Sequence, residues 1–248
     1  MGADLVAALE ERGVRRKSVK VLNDTTATLL AGCSVGRAFG AKQFVGFILG
    51  TGTNCACLHY GQIINMESGN FGAWQCSAVD EQLDALQANR GQYRFEKAVS
   101  GAYLGPLTLV AMQQAAQEGL FSAAGASTIG RWQELDTVSL SMRLAGQAVP
   151  SWELSERDER VMLRIFEGLV DRAALFAAVN MASAIMLDRT NDLAPVCVNA
   201  DGSTYYLTPG LAEKTELYLR SLLMPYDCSF EITQVTDAPA VGAALAAF

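Results

Sequence analysis

Histidine is almost missing from this chain: His59 is the only one in 248 residues. Six cysteines are present, but no two form a C-x-x-C pair. Both facts argue against a zinc framework. Basic residues are in deficit, with 19 Lys+Arg against 26 Asp+Glu and a net charge of −7. No broad basic surface is therefore available for nucleic acid. One local cluster, Arg15, Arg16, Lys17 and Lys20, reads as a solvated turn ahead of a strand. Long apolar runs are lacking too. The most apolar stretch, 173–187, is short for a bilayer and carries Asn180, so it predicts a buried helix and no membrane partner. Asp4, Glu10 and Glu11 interrupt the N-terminal residues, which do not read as a signal peptide.

What is there is globular material. Half the residues are apolar and 18% are charged, enough to bury a sizeable core. Cys33, Cys55, Cys57, Cys76, Cys197 and Cys228 read as reduced, mostly buried thiols. That usage predicts a cytoplasmic, reducing location.

Hydrophobic spacing predicts a helix over 4–12, a short strand over 19–22 and a helix from 26 to Gly32. Three strands follow, over 44–54, 55–61 and 62–68, with Gly61 in a hairpin turn. From about 80 to 187 the pattern is helical, with segments at 94–100, 104–119, 129–144 and 155–188. Ser155 is set to start the last of these. A strand over 195–203, a helix over 209–223, a strand over 229–235 and a final helix from 241 complete the order. It predicts an α/β fold with a mixed sheet flanked by helices.

Several motifs lie at the joints. Gly50-Thr51-Gly52-Thr53 directly follows an apolar strand. Its glycines let backbone N–H groups approach an anion, and the threonines add hydroxyls, although such a run also makes an ordinary turn. It is neither a Walker A loop nor G-x-G-x-x-G. Asn23-Asp24 precedes a helix. Asp24 there reads either as a cap or as a carboxylate able to take a proton from a substrate hydroxyl. Glu67, within Asn65-Met66-Glu67-Ser68-Gly69, and Glu96, within Arg94-Phe95-Glu96-Lys97, read as surface acids, a hydrolytic pair, or grips for sugar hydroxyls. Asp201-Gly202-Ser203 reads as a tight turn or as a glycine joint against a nucleotide.

Order and spacing add what no single motif carries. LNDTTATLLAG, ILGTGTNCACL, INMESGNFG, RFEKAVSGAYLG, VNADGSTYYLTPG and VGAALAAF follow one another as they do in hexokinases. The chain resembles that family over essentially its whole length. The resemblance implies an actin-like ATPase (ribonuclease H-like) fold, with residues 1–24 the remnant of a small domain and 25–248 the large domain. It implies Asp24 as general base and Asn23, Asn54, Glu67 and Glu96 as sugar ligands. Gly50, Thr51, Gly52 and Thr53, with Asp201, Gly202 and Ser203, then stand on the nucleotide side. The implied reaction converts ATP and a hexose such as glucose into hexose 6-phosphate and ADP, with Mg2+ as cofactor and the hexose and ATP as partners.

Some of the family pattern is not found here. The family's first phosphate loop, Asp-x-Gly-Gly-Thr, and its Thr-Lys sugar pair do not occur, and where the family has a C-terminal Gly-Ser-Gly run this chain has Thr236-Asp237-Ala238-Pro239-Ala240-Val241. Ser68 stands in place of the usual tryptophan. The chain is therefore expected to be a portion of a hexokinase, with an open cleft face that self-association or a small-domain partner would cover. A non-catalytic sugar- or nucleotide-binding relative is the alternative. A hydrolase using Glu67 and Glu96 is a third reading.

Overall fold

The computed structural model describes residues 8–13, 20–187 and 194–247. Arg15 to Lys17, residues 4–7 of the expected helix over 4–12 and residue 19 lie outside the described residues, while 8–11 of that helix are helical. The centre is a five-stranded mixed sheet. Its strands are β1 (Gln43–Leu49), β2 (Thr53–His59), β3 (Gln62–Asn65), β4 (Val196–Asp201) and β5 (Phe230–Thr233), in the spatial order β3-β2-β1-β4-β5. β1 pairs antiparallel with β2 and parallel with β4. It is central because Phe44, Val45, Phe47 and Leu49 offer apolar surface to both faces. The β2–β3 hairpin turns at Tyr60-Gly61, both with positive φ, which matches the right-handed twist of the flanking strands.

The two faces of the sheet carry separate cores. Phe44, Ala56 and Cys197 meet Leu29 and Cys33 of α1 (Asp24–Gly36). Gly32 and Gly36 bring α1 down onto β4: a Cβ at either would sit 2.6 Å from the Cβ of Asn199 or Cys197. The last helix, α10 (Ala238–Ala246), closes over the other side of α1. There a Cβ on Gly242 would meet Ala27 O at 1.8 Å. Cys55 and Cys57 share the opposite face, as their spacing predicted, and join the larger core.

That larger core is helical: α2 (Ala78–Leu86), α3 (Arg94–Val99), α4 (Gly101–Gln117), α5 (Ala123–Ile129), α6 (Thr137–Leu144), α7 (Glu156–Leu187), α8 (Ser203–Leu207) and α9 (Leu211–Leu223). α7 is long and apolar enough to cross a membrane by length and composition alone. Its Phe166, Val170, Ala173, Ala177, Met181 and Ile185 are instead buried in the core.

Four sequence expectations need correction. Residues 20–22 join no strand, and Val21 is 80% exposed with no ladder to complete. α1 runs on past Gly32, because that glycine serves close packing on β4 rather than termination. β3 stops at Asn65, because Glu67 turns into the left-handed region at φ 48° and a 3-10 turn follows over Ser68–Asn70. The single helix expected over 129–144 is two: α5 ends at Ile129, and Asp136 caps a new start by accepting Ser139 N at 2.7 Å.

Ser155 does start α7, accepting Asp158 N at 3.2 Å. The buried Asp158 carboxylate accepts the Ser122 N–H at 2.8 Å, the Ser122 hydroxyl at 2.6 Å and the Ser155 hydroxyl at 2.7 Å. It ties α5 to α7. Those donors, Ser122 first, hold its carboxyl below the ordinary aspartate value. Asp158→Ala is expected to cost about 2–3 kcal/mol, since buried donors lose an ionised acceptor. Because the folded pKa is depressed, this contribution is present at neutral pH and is lost as pH falls below about 4. Urea melts at pH 7 and pH 3.5 check both points: the gap between wild type and variant should be widest at the first and narrower at the second.

Candidate functional site

The site gathers where two chain reversals meet: the loop after β1 and the turn after β4. β1 and β4 are parallel neighbours with Ile48 opposite Asp201, so their C-terminal ends lie side by side. Such ends, with the loops leaving them, are where open α/β sheets bind ligands.

The loop after β1 is tightly tied. Gly50 N donates to Gly52 O at 2.9 Å, and Gly50 O accepts both Gly101 N at 2.9 Å and the Thr204 hydroxyl at 2.8 Å. Thr53 Oγ1 donates to Ile48 O at 2.9 Å. The turn after β4 needs its glycine. Gly202 has φ 116°, and a Cβ there would meet Leu49 O at 2.3 Å. Asp201 Oδ1 accepts Gly202 N at 2.8 Å. Tyr206 donates to Ala200 O at 3.1 Å, and burial, then the charge of Asp201, push its hydroxyl up to about 12.

Loop and turn together border a hollow of about 470 Å³, whose walls include Thr51, Ala102, Met142 and Ser203. Val138 and Leu207 stand on its edge, 66% and 74% exposed. Exposed apolar side chains around a concave surface with hydroxyls at one end suit a flat, partly polar ligand.

The carboxylates of Glu96 and Glu67 lie at the start of β2 and just beyond the end of β3. Glu96 Oε2 accepts Thr53 N at 3.0 Å. Two glycines make room for it: a Cβ on Gly52 would be 2.6 Å from Glu96 Oε2, and one on Gly69 would be 3.3 Å away. Asn54 Nδ2 donates to Asn65 Oδ1 at 2.7 Å, and Asn65 Nδ2 donates to Glu67 Oε1 at 2.7 Å. Asn54 Oδ1 accepts Cys55 N at 2.7 Å and Ser68 N at 3.2 Å. Thr53, Asn54, Glu67 and Glu96 thus form one linked surface.

Asn23 and Asp24 stand apart from that network. Asn23 caps α1 by accepting Thr25 N at 2.9 Å, while Asp24 accepts Thr25 N at 2.8 Å and the Thr25 hydroxyl at 3.3 Å. Both are exposed, and among the described residues their side chains bond only locally. Asp24 is thus an open carboxylate at a helix N-terminus.

Sequence reasoning passed over three residues that organise this site. Asn65 was visible only as part of a motif containing Glu67. Asn199, fully buried in β4, donates to Thr28 O at 2.9 Å and accepts Val235 N at 3.1 Å, fixing α1 against the sheet. A buried asparagine in an apolar strand was the available signal, because such a group needs partners. Thr204 ties the post-β4 turn to Gly50, and nothing in its spacing marks it.

Among known proteins, the family profile described as hexokinase matches residues 44–248. The Plasmodium falciparum hexokinase is 26% identical over 268 residues, covering 99% of this chain and 54% of that protein. A hexokinase crystal structure superposes with a TM-score of 0.82 at 26% identity, covering 99% of this chain and 58% of its own. The glucose complex of the Schistosoma mansoni hexokinase superposes with a TM-score of 0.76 at 27% identity, covering 98% of this chain and 60% of its own. The chain therefore spans little more than half the length of each of these relatives.

Proposed function

This chain belongs to the hexokinase family, and from that premise we propose that it carries the proton-accepting base, the sugar grip and the nucleotide wall of an ATP-dependent hexose kinase. Residues 25–248 then read as the large domain and 1–24 as the tail of the small one. The observation that carries the proposal is the linked surface of Thr53, Asn54, Glu67 and Glu96, a set of carboxylate and amide groups suited to neighbouring hydroxyls. The glucose bound in the Schistosoma relative supports glucose as the hexose.

In this reading Asp24 accepts the proton of the sugar 6-hydroxyl as that oxygen attacks the terminal phosphorus of ATP. The new O–P bond forms as the bond to the bridging oxygen breaks, and ADP leaves. Asn23, Asn54, Glu67 and Glu96 hold the other hydroxyls, so the attacking oxygen is positioned rather than merely present. The loop from Gly50 to Thr53 faces the phosphates. Asp201, Gly202 and Ser203 lie along the nucleoside, whose base covers Val138 and Leu207.

Among the described residues no group of three or more metal-ligating side chains forms. Mg2+ asks for none, because it is held largely by phosphate oxygens and water with one or two carboxylates. The donors lining the hollow there are hard oxygens, those of Thr51, Ser203 and Thr204, which suits that ion. When bound, Mg2+ neutralises charge on the phosphates. The six cysteines are all free thiols, which supports a cytoplasmic setting.

The test is formation of glucose 6-phosphate by the purified chain in ATP and Mg2+, beside titrations of glucose and of ATP alone. Turnover supports the kinase reading. Binding of both ligands without turnover favours the non-catalytic alternative, and failure to bind either sinks both.

A further inference from the structure

Asn65, at the end of β3, has no role in the proposed reaction, yet it sits between two residues that do. Asn54 has one carbonyl oxygen and one amino group. Its oxygen faces the backbone N–H groups of Cys55 and Ser68, which can only donate. Its orientation is therefore settled, and the amino group must point the other way, where it meets Asn65 Oδ1 at 2.7 Å. The acceptor end of Asn65 is thereby used, and its own amino group turns to Glu67 Oε1 at 2.7 Å. Each amide in this relay is oriented by the one before it. The relay ends on a carboxylate whose backbone sits at φ 48°, a conformation that costs a non-glycine residue free energy and needs support from its surroundings.

We propose that Asn65 is a positioning residue that orients Asn54 and Glu67 as one unit. The relay leaves the second amino hydrogen of Asn54 and the second oxygen of Glu67 uncommitted, one donor and one acceptor. That pair suits two neighbouring hydroxyls, each of which can both donate and accept. This inference rests on the sugar-binding reading above.

Two substitutions separate orientation from space filling. Asn65→Ala removes both bonds. Asn65→Asp has nearly the same shape and keeps an acceptor for Asn54, but it sets a carboxylate against Glu67 in place of a donor. If Asn65 only fills space, the isosteric aspartate is the milder change. If it orients Glu67, the aspartate is the worse one, because like charges then face each other. Side-chain amide NMR spectra of the chain, titrated with D-glucose, read both events. In Asn65→Ala the Asn54 amino resonances should move and glucose affinity should fall about tenfold or more, the usual effect of losing a bond to a charged group. Asn65→Asp should lose more. Wild-type affinity in both variants, or a smaller loss in Asn65→Asp than in Asn65→Ala, would overturn the proposal. Should the wild-type chain bind no glucose, the sugar reading fails by itself. The Asn54 resonances still decide the relay: unmoved in Asn65→Ala, they would end it.

Discussion

Asp24→Ala is expected to lower ATP-dependent phosphorylation of glucose by about 10²–10⁴-fold, the range contributed by a positioned general base. The structure predicts that this loss comes without a loss of fold. Asp24 is exposed, its side chain bonds only to Thr25, and the cap of α1 is supplied by Asn23. The buried ties of α1, through Gly32, Asn199 and Gly242, lie further along the helix. Asp24→Asn keeps the shape and removes the base, so it should be nearly as inactive. The measurement is the initial rate of glucose 6-phosphate formation, with thermal melts of the same samples. Turnover close to wild type in either variant would remove Asp24 from the mechanism. A collapsed melting temperature would show that α1 depends on this carboxylate more than its contacts indicate.

Lys97→Met should destabilise the fold by about 3–5 kcal/mol, the cost of stranding one partner of a buried ion pair. Lys97 lies one residue after Glu96 on α3 but points inward and is 4% exposed. Its ammonium donates to Asp84 Oδ1 at 2.6 Å and to Asn89 O at 2.9 Å. Asp84 in turn accepts Gly91 N at 2.8 Å. The pair therefore locks the loop between α2 and α3 and sets the start of α3, where Tyr93 adopts φ 52°. Burial opposes the charge on Asp84, but Lys97 and the Gly91 N–H outweigh it and hold the carboxyl below its usual range. A depressed carboxyl stabilises the fold above its unfolded pKa, and that stabilisation disappears as the pH falls through the folded pKa, here below about pH 4. Urea melts from pH 7 to pH 3 check both parts. The variant should start less stable and lose less on acidification, because Asp84 no longer has its cation. An unchanged midpoint at pH 7 would mean the pair contributes specificity rather than stability. Glu96 shares the helix, so the same variant should also loosen the Thr53 N–H bond, read as faster amide exchange at Thr53.

These two residues illustrate what could be read before the fold was known. Lys97 follows Glu96 in a motif whose order carries the family, so its importance was visible but its partner was not. Asp84 sits 13 positions away on a helix that looks like any amphipathic surface helix, and only the packing of α2 against α3 makes it an ion-pair partner. The strands of the sheet were legible because β1 and β2 are apolar and bounded by glycine turns. The break at 130–136 was not, because apolar spacing continues across it while the deciding signal, an Asp136 cap, is one side chain.

By itself, the sequence determined the order of elements from β1 onward apart from the break at 130–136, the mixed sheet, the hairpin at Gly61, the start of α7 at Ser155 and the residues at each joint. These are local matters: periodicity, turn chemistry and capping act within a few residues of one another. Tertiary structure alone decided which joints meet. It set Gly50 against Gly101 and Thr204, Glu96 against the glycines at 52 and 69, Asn54 and Glu67 on either side of Asn65, and Asp158 between two helices. Those contacts join positions 11 to 154 residues apart in some of the pairs cited here, from Asn54 with Asn65 to Gly50 with Thr204. Hydrogen bonds and close glycine packing at such separations depend on how layers stack, and no local pattern in the chain encodes that stacking.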